Sequence, residues 1–224
     1  MLIAGSQRRD GGARPGRADL VGAGGPWARW AALGLVVYSL ALLSAEWVGG
    51  PPLARDLCGD FLGMTRFHGV NTTLSVFLLS AGALLLVFTV ATRVVDRRER
   101  RYFLAQAALL GWLAVDDRFL VHETLGERTG VPDALILFAS GLVQLGVLWR
   151  MARLPERSAR ARRLLLAAAG AFALMCVVDA TQHAFDWPGR MTTEDLAKTW
   201  GCACLFGFVW SVCARPLGGA TAAR

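Results

Sequence analysis

Six apolar runs, each about as long as a bilayer-crossing helix, follow one another along the chain, separated by short stretches rich in arginine, glycine or proline. Hydrocarbon about 30 Å thick needs roughly 20 residues of helix to cross it. Lipid offers backbone N–H and C=O groups no partners, so the chain must satisfy them within helices. The pattern predicts an all-α polytopic bundle of about six transmembrane helices: Trp30–Val48, Val70–Ala91, Tyr102–Leu120, Ala134–Met151, Leu164–Ala184 and Leu196–Ala214. Residues 27–215 form this membrane domain. Residues 1–26, rich in glycine and arginine without apolar periodicity, read as a disordered tail, and 216–224 as a second short tail. The first tail lacks the apolar core and small-residue cleavage site of a signal peptide.

Composition agrees: of 224 residues 54% are hydrophobic, and mean hydropathy is +0.43. The net charge of +7 would suggest nucleic acid on a soluble protein. Here the distribution of charge excludes that reading. Taken on alternate sides of the six runs, 18 arginines fall on the side of both termini, and 6 basic residues on the other. The positive-inside rule then makes both termini cytoplasmic. Acids lean the opposite way, 5 inside against 12 outside or in outer helix halves, so formal charge is +13 inside and −6 outside. All three histidines, His68, His122 and His183, lie on the outer side. The five cysteines include no C-x-x-C pair, and their plainest reading is as small packing residues.

Each outer hairpin brings one histidine. In the first, "FHGVNTTLSVF", His68, Asn71, Thr72 and Ser75 share a helix face at offsets 0, 3, 4 and 7. The plainer alternative is an entry turn whose hydroxyls bond their own backbone. The second is "LAVDDRFLVHETLGER". On an unbroken helix Asp116 and Glu123 lie about 20° apart and about 10.5 Å along one face, while Asp117 and His122 point elsewhere. The plainer alternative is an interfacial ion-pair cluster.

The third is "CVVDATQHAFDWPGRMTTEDLAKTW". Asp179, Gln182, His183 and Asp186 form one stripe, and Asp179 with His183 has the i, i+4 spacing that can place two ligands on one metal. Asp179 is the deepest of these acids and the best single candidate for function. Beyond the Pro-Gly break, Thr192 with Asp195 reads as a capping box and Glu194 with Lys198 as an i, i+4 ion pair. Glu46, beside Trp47 in "LLSAEWVGGPP", reads as an interfacial glutamate next to a belt tryptophan.

"LAVDDRFLVHE", residues 113–123, resembles a pattern of uncharacterised bacterial multi-pass membrane proteins in which an apolar helix ends in D-D-x-F-x-x-H-E. That resemblance implies a bacterial inner-membrane protein and no established activity. A looser likeness is to the membrane hydrolases that include alkaline ceramidases and adiponectin-receptor-like proteins. Those have seven spans and a zinc site of three histidines with a nearby Asp and Ser. This chain has three histidines at membrane-end positions with Asp116, Asp179 and Ser75. It departs in its six spans, in lacking H-x-x-x-H, and in offering Asp179 where that pattern has histidine.

Intramembrane ionisable groups are functional by default. The expectation is a metal-dependent hydrolase of a lipid or amphiphile. His68, His122, His183 and Asp179 would bind zinc, Asp116 or Glu123 would act as base, and Asn71, Ser75, Gln182, Asp186, Glu194 and Lys198 would support them. Alternatives are a proton-coupled transporter, a haem held by two histidines, or a structural charged rim. The partners expected are the bilayer and a lipid-like substrate, without nucleic acid; no oligomeric state is implied.

Overall fold

The computed structural model describes residues 26–58, 69–93, 95–151, 159–181 and 189–213. Among them are seven α-helices and no strands: α1 Pro26–Cys58, α2 Val70–Thr92, α3 Arg97–Phe119, α4 Val121–Thr129, α5 Asp133–Met151, α6 Ala159–Ala180 and α7 Arg190–Cys213. A helix lies on each of the six expected runs, with ends shifted by up to ten residues. A short additional helix, α4, follows the third. The two terminal tails lie outside the described residues.

α1 bends at Gly50, whose φ of 73° only glycine adopts without strain. The proline at 51 then suits the first turn of the segment 51–58. Four helices are long and apolar enough to cross a bilayer: Ala28–Gly50 of α1, and α2, α6 and α7. α3 falls short by that measure because it opens with "RRERR" and closes with "DDRF"; in α5 the apolar stretch among the described residues is Leu135–Gln144.

Side-chain register fixes the directions. Ser75 meets Asp117, and a Cβ on Gly82 would lie 3.2 Å from Leu110, so α3 runs antiparallel beside α2. Asn71 bonds Asp195 and Thr199, and Gly82 approaches Val209, so α2 and α7 run parallel. Ser39 meets Trp200 and Glu46 meets Gly189, so α1 is antiparallel to α7. Gly201 abuts Phe172 and Gly207 abuts Leu164, which makes α6 antiparallel to α7 as well.

The core joins α2, α3, α6 and α7 through Leu79, Leu86, Tyr102, Phe103, Leu110, Ala168, Leu205, Phe208 and Val209. Small residues at Gly82 and Gly201 let the helices approach closely, as lipid-embedded helices require when water supplies no hydrophobic drive between them. The outer surface is apolar, with Leu84, Phe88, Leu166 and Val177 all exposed. This is a membrane-type bundle.

One end of the bundle gathers the arginines at the starts of α1, α3 and α6. The other gathers Glu46, Asn71, Asp116, Asp117, His122 and the first turns of α7. The charge asymmetry read along the sequence is therefore an asymmetry between the two ends of the bundle.

Candidate functional site

The stretch 113–128 is not one helix. α3 ends at Leu120, which takes a left-handed conformation (φ 51°, ψ 45°), and α4 begins at the next residue. That conformation costs a residue with a Cβ about 1–2 kcal/mol. The reversal carries His122 back over the last turn of α3. There Asp116, 5% exposed, holds it twice: Oδ1 accepts from the His122 backbone N–H at 2.8 Å, and Oδ2 lies 3.0 Å from Nδ1. The first contact satisfies one of the open donors at the start of α4, the task of a helix cap. The second fixes the ring. A carboxylate in its ionised form only accepts, which makes Nδ1 the donor and leaves Nε2 as the ring nitrogen open to another partner.

The break also corrects the unbroken-helix expectation. Asp116 and Glu123 do not share a face two turns apart; Glu123 sits exposed in the first turn of α4, while Asp116 is buried. Asp117 turns inward as well. It accepts from the Ser75 hydroxyl of α2 and, at 2.9 Å, from Lys198 Nζ of α7. Lys198 is also 3.7 Å from Asp195.

The stripe at the start of α2 faces the bundle: Asn71, Thr72 and Ser75 are all buried. Asn71 Nδ2 donates to the Asp195 carbonyl at 2.9 Å, and its Oδ1 accepts from Thr199 at 2.5 Å and, more distantly, from Tyr38 at 3.4 Å. One amide thus ties α1, α2 and α7 together. Ser75 also bonds the Thr72 carbonyl at 3.0 Å, so the local and long-range readings of this stripe both hold.

Two expectations for α7 are overturned. The helix starts at Arg190 rather than after Thr192, so Thr192 is no cap; it is fully buried in the first turn. The helix entry is held by Glu46, whose Oε1 accepts from the Gly189 N–H at 2.8 Å. Glu46 is therefore a buried tie between α1 and α7, while Trp47 beside it is 87% exposed, as a belt residue should be. Glu194 takes Arg190 as its i, i+4 partner at 3.4 Å, and Lys198 reaches across to Asp117.

Asp179 is half-buried near the end of α6. The register that sets Gly201 against Phe172 places Asp179 across from Glu194, and the two carboxylates lie within electrostatic reach. His68, Gln182, His183 and Asp186 lie outside the described residues. The residues that flank them, Gly69, Thr181 and Gly189, are at the same end of the bundle as His122. Among the described residues no three His, Cys, Asp or Glu side chains are grouped to hold a metal ion.

Sequence reading missed Thr199, Tyr38 and the Trp200–Ser39 bond of 3.0 Å, all partners in this end of the bundle. Thr192, Asp195 and Thr199 at offsets 0, 3 and 7 were the available signal for a polar face on α7. A second missed contact, Gln144 Nε2 to Gln106 Oε1 at 2.7 Å, joins α5 to α3 deeper in the bundle.

A model of a family described as a domain of unknown function, DUF8692, matches residues 27–212. The chain belongs to the DUF8692 family. The matched region takes in nearly all of the seven helices and every polar contact given above. As a DUF8692 protein the chain fits the first of its sequence resemblances only in its coarsest sense, a family of unknown function; the match carries no link to the D-D-x-F-x-x-H-E motif or to the ceramidase-like hydrolases. No curated protein and no solved structure matches it.

Proposed function

We propose that this protein crosses a bacterial inner membrane six times, with both termini cytoplasmic, and acts at its outward end as a metal-dependent hydrolase of a lipid or amphiphile. The observation that carries this reading is the Asp116–His122 pair. A buried carboxylate bonded to Nδ1 is the usual companion of a metal-ligating histidine, because it fixes the ring and raises the basicity of the other nitrogen. Building it across a left-handed leucine spends backbone energy, and such outliers gather at functional sites.

In this reading His122 binds zinc through Nε2, with His68, His183 and Asp179 completing the set. The flanks of both other histidines at the same end of the bundle support that choice. Zinc would supply a water that loses its proton near neutral pH. Asp116 is a positioning residue, since both of its oxygens serve His122. Glu123, exposed in the first turn of α4, is then the second candidate for the base. The Lys198–Asp117 pair and Asn71 hold α2, α3 and α7 in register beneath the site. An outward site among lipid-facing helices suits a substrate that enters from the bilayer. Transport is the weaker reading, because below the polar layer the core is built of Leu79, Leu86, Leu110, Phe208 and Val209.

The test is metal analysis of the detergent-purified protein beside His122→Ala and Asp116→Asn, followed by assay on lipid amides and esters. Near-stoichiometric zinc is expected in the wild type and its loss in His122→Ala. Asp116→Asn should weaken zinc binding by about 10–100-fold. A wild type that stays empty after zinc addition overturns the proposal.

A further inference from the structure

Two buried oxygen atoms at the entry of α7 have no hydrogen-bond partner among the described residues: Glu46 Oε2 and Thr192 Oγ1. Neither residue belongs to the Asp116–His122 pair or to the Asn71 network. Glu46 is 9% exposed and Thr192 0%. The first oxygen is charged when the carboxyl is ionised, and the structure gives it no compensating cation among the described residues. Its sister, Oε1, is occupied by the Gly189 N–H.

These two residues are brought to one level by the packing of α1 on α7. Leu42 of α1 clusters with Leu196 of α7, and Ser39 bonds Trp200. Counting one turn outward from the Leu42–Leu196 contact on each antiparallel helix gives Glu46 and Thr192. The helix register therefore sets Glu46 opposite Thr192 across the α1–α7 interface. Two buried oxygen atoms without donors, on residues that face each other, fit a bridging cation that takes oxygen ligands. A buried carboxylate oxygen without a donor is costly, and a bound cation removes that cost. One carboxylate balances one positive charge, so the cation is monovalent.

We propose that Glu46 and Thr192 bind a sodium ion between α1 and α7, tying the end of the first span to the entry of the last. The ion completes its shell with water or backbone carbonyls. The site stands independently of the hydrolase reading.

The experiment is thermal unfolding of the full-length, detergent-purified protein, titrated with sodium chloride while choline chloride holds ionic strength constant. A saturable rise in the unfolding midpoint with sodium is expected. Glu46→Gln should abolish the sodium dependence. Thr192→Val, which keeps the shape and removes the hydroxyl, should raise the sodium concentration for half-maximal effect by about tenfold, the loss of one neutral ligand. A wild-type midpoint indifferent to sodium overturns the proposal, as water alone at the site would produce. So does a rise that survives Glu46→Gln unchanged, or one given by calcium in a choline background and not by sodium. If Glu46→Gln does not fold, the wild-type titration and Thr192→Val still decide the matter.

Discussion

Lys198 Nζ stands 2.9 Å from Asp117 Oδ1 across the α3–α7 interface, while its own helix offers Asp195 only at 3.7 Å. The side chains of Lys198 and Asp117 are 22% and 12% exposed, so the pair is mostly out of water. Removing Lys198 leaves Asp117 to the Ser75 hydroxyl, and removing the Asp117 charge leaves Lys198 to the more distant Asp195. Asp117→Asn or Lys198→Met is expected to cost about 2–3 kcal/mol, below the figure for a fully buried pair because both groups keep some solvent. The double variant Asp117→Asn with Lys198→Met should recover part of that loss. Unfolding midpoints in detergent for the two single variants and the double variant check this. Losses that simply add would show that the two groups are not coupled.

The α6–α7 contact makes a prediction through its glycines. A Cβ at Gly201 would lie 2.9 Å from the Phe172 ring, inside contact distance, whereas one at Gly207 would meet Leu164 at an ordinary 3.5 Å. Gly201→Ala must push the ring aside and should cost about 1–3 kcal/mol. Gly207→Ala should be neutral or slightly stabilising, since alanine is the better helix former by about 1 kcal/mol. The difference in unfolding midpoint between these variants is the measurement. Equal midpoints would mean that Phe172 has free room to move.

What the sequence made legible is what lipid dictates. Long apolar runs had to be helices because nothing else satisfies the backbone; α2 follows its run closely, while α6 and α7 begin five and six residues before theirs. The buried stripe of Asn71, Thr72 and Ser75 was visible in its 3–4 spacing, although its partners were not. The break at Leu120 was hidden. "DDRFLVHET" contains no Gly or Pro, and its cap is a carboxylate that reaches His122 from six residues upstream. Lys198 was read incompletely for a related reason. The i, i+4 rule sees Glu194, but a partner on α3 in a drier setting attracts the ammonium more strongly. Glu46 looked like a belt residue because sequence cannot show that α7 begins against it.

Leu120 is left-handed because the chain must turn there. Glycine would remove the steric cost of about 1–2 kcal/mol. It would lose backbone entropy of about 0.5–1 kcal/mol and part of the burial of a half-exposed side chain. These terms nearly cancel, so Leu120→Gly is expected within about 1 kcal/mol of the wild type and should retain the Asp116–His122 pair. Leu113→Gly is the control. It is similarly half-buried but lies inside regular α3, and it should cost about 2 kcal/mol or more because helix propensity and packing are lost together. Thermal unfolding of both variants measures this. An equal loss at both sites would mean that the left-handed turn carries no strain.

The placement of charge at the two ends of the bundle predicts which end meets the outside. The turn at Gly130 between α4 and α5 is at the His122 end, and Val95 between α2 and α3 is at the arginine end. If positive charge is retained inside, alkaline phosphatase fused after Gly130 should be exported and form its disulfides, while the same enzyme fused after Val95 should remain reduced and inactive. A fluorescent reporter that matures only in the cytoplasm should give the reciprocal pattern. Replacing Arg97, Arg98, Arg100 and Arg101 with asparagine should weaken the bias and let part of the Val95 fusion gain activity, since those four residues flank a single helix start. Activity at Val95 and none at Gly130 in the unaltered chain would invert the bundle. Asp116 and His122 would then face the cytoplasm, and the substrate would have to come from the inner leaflet.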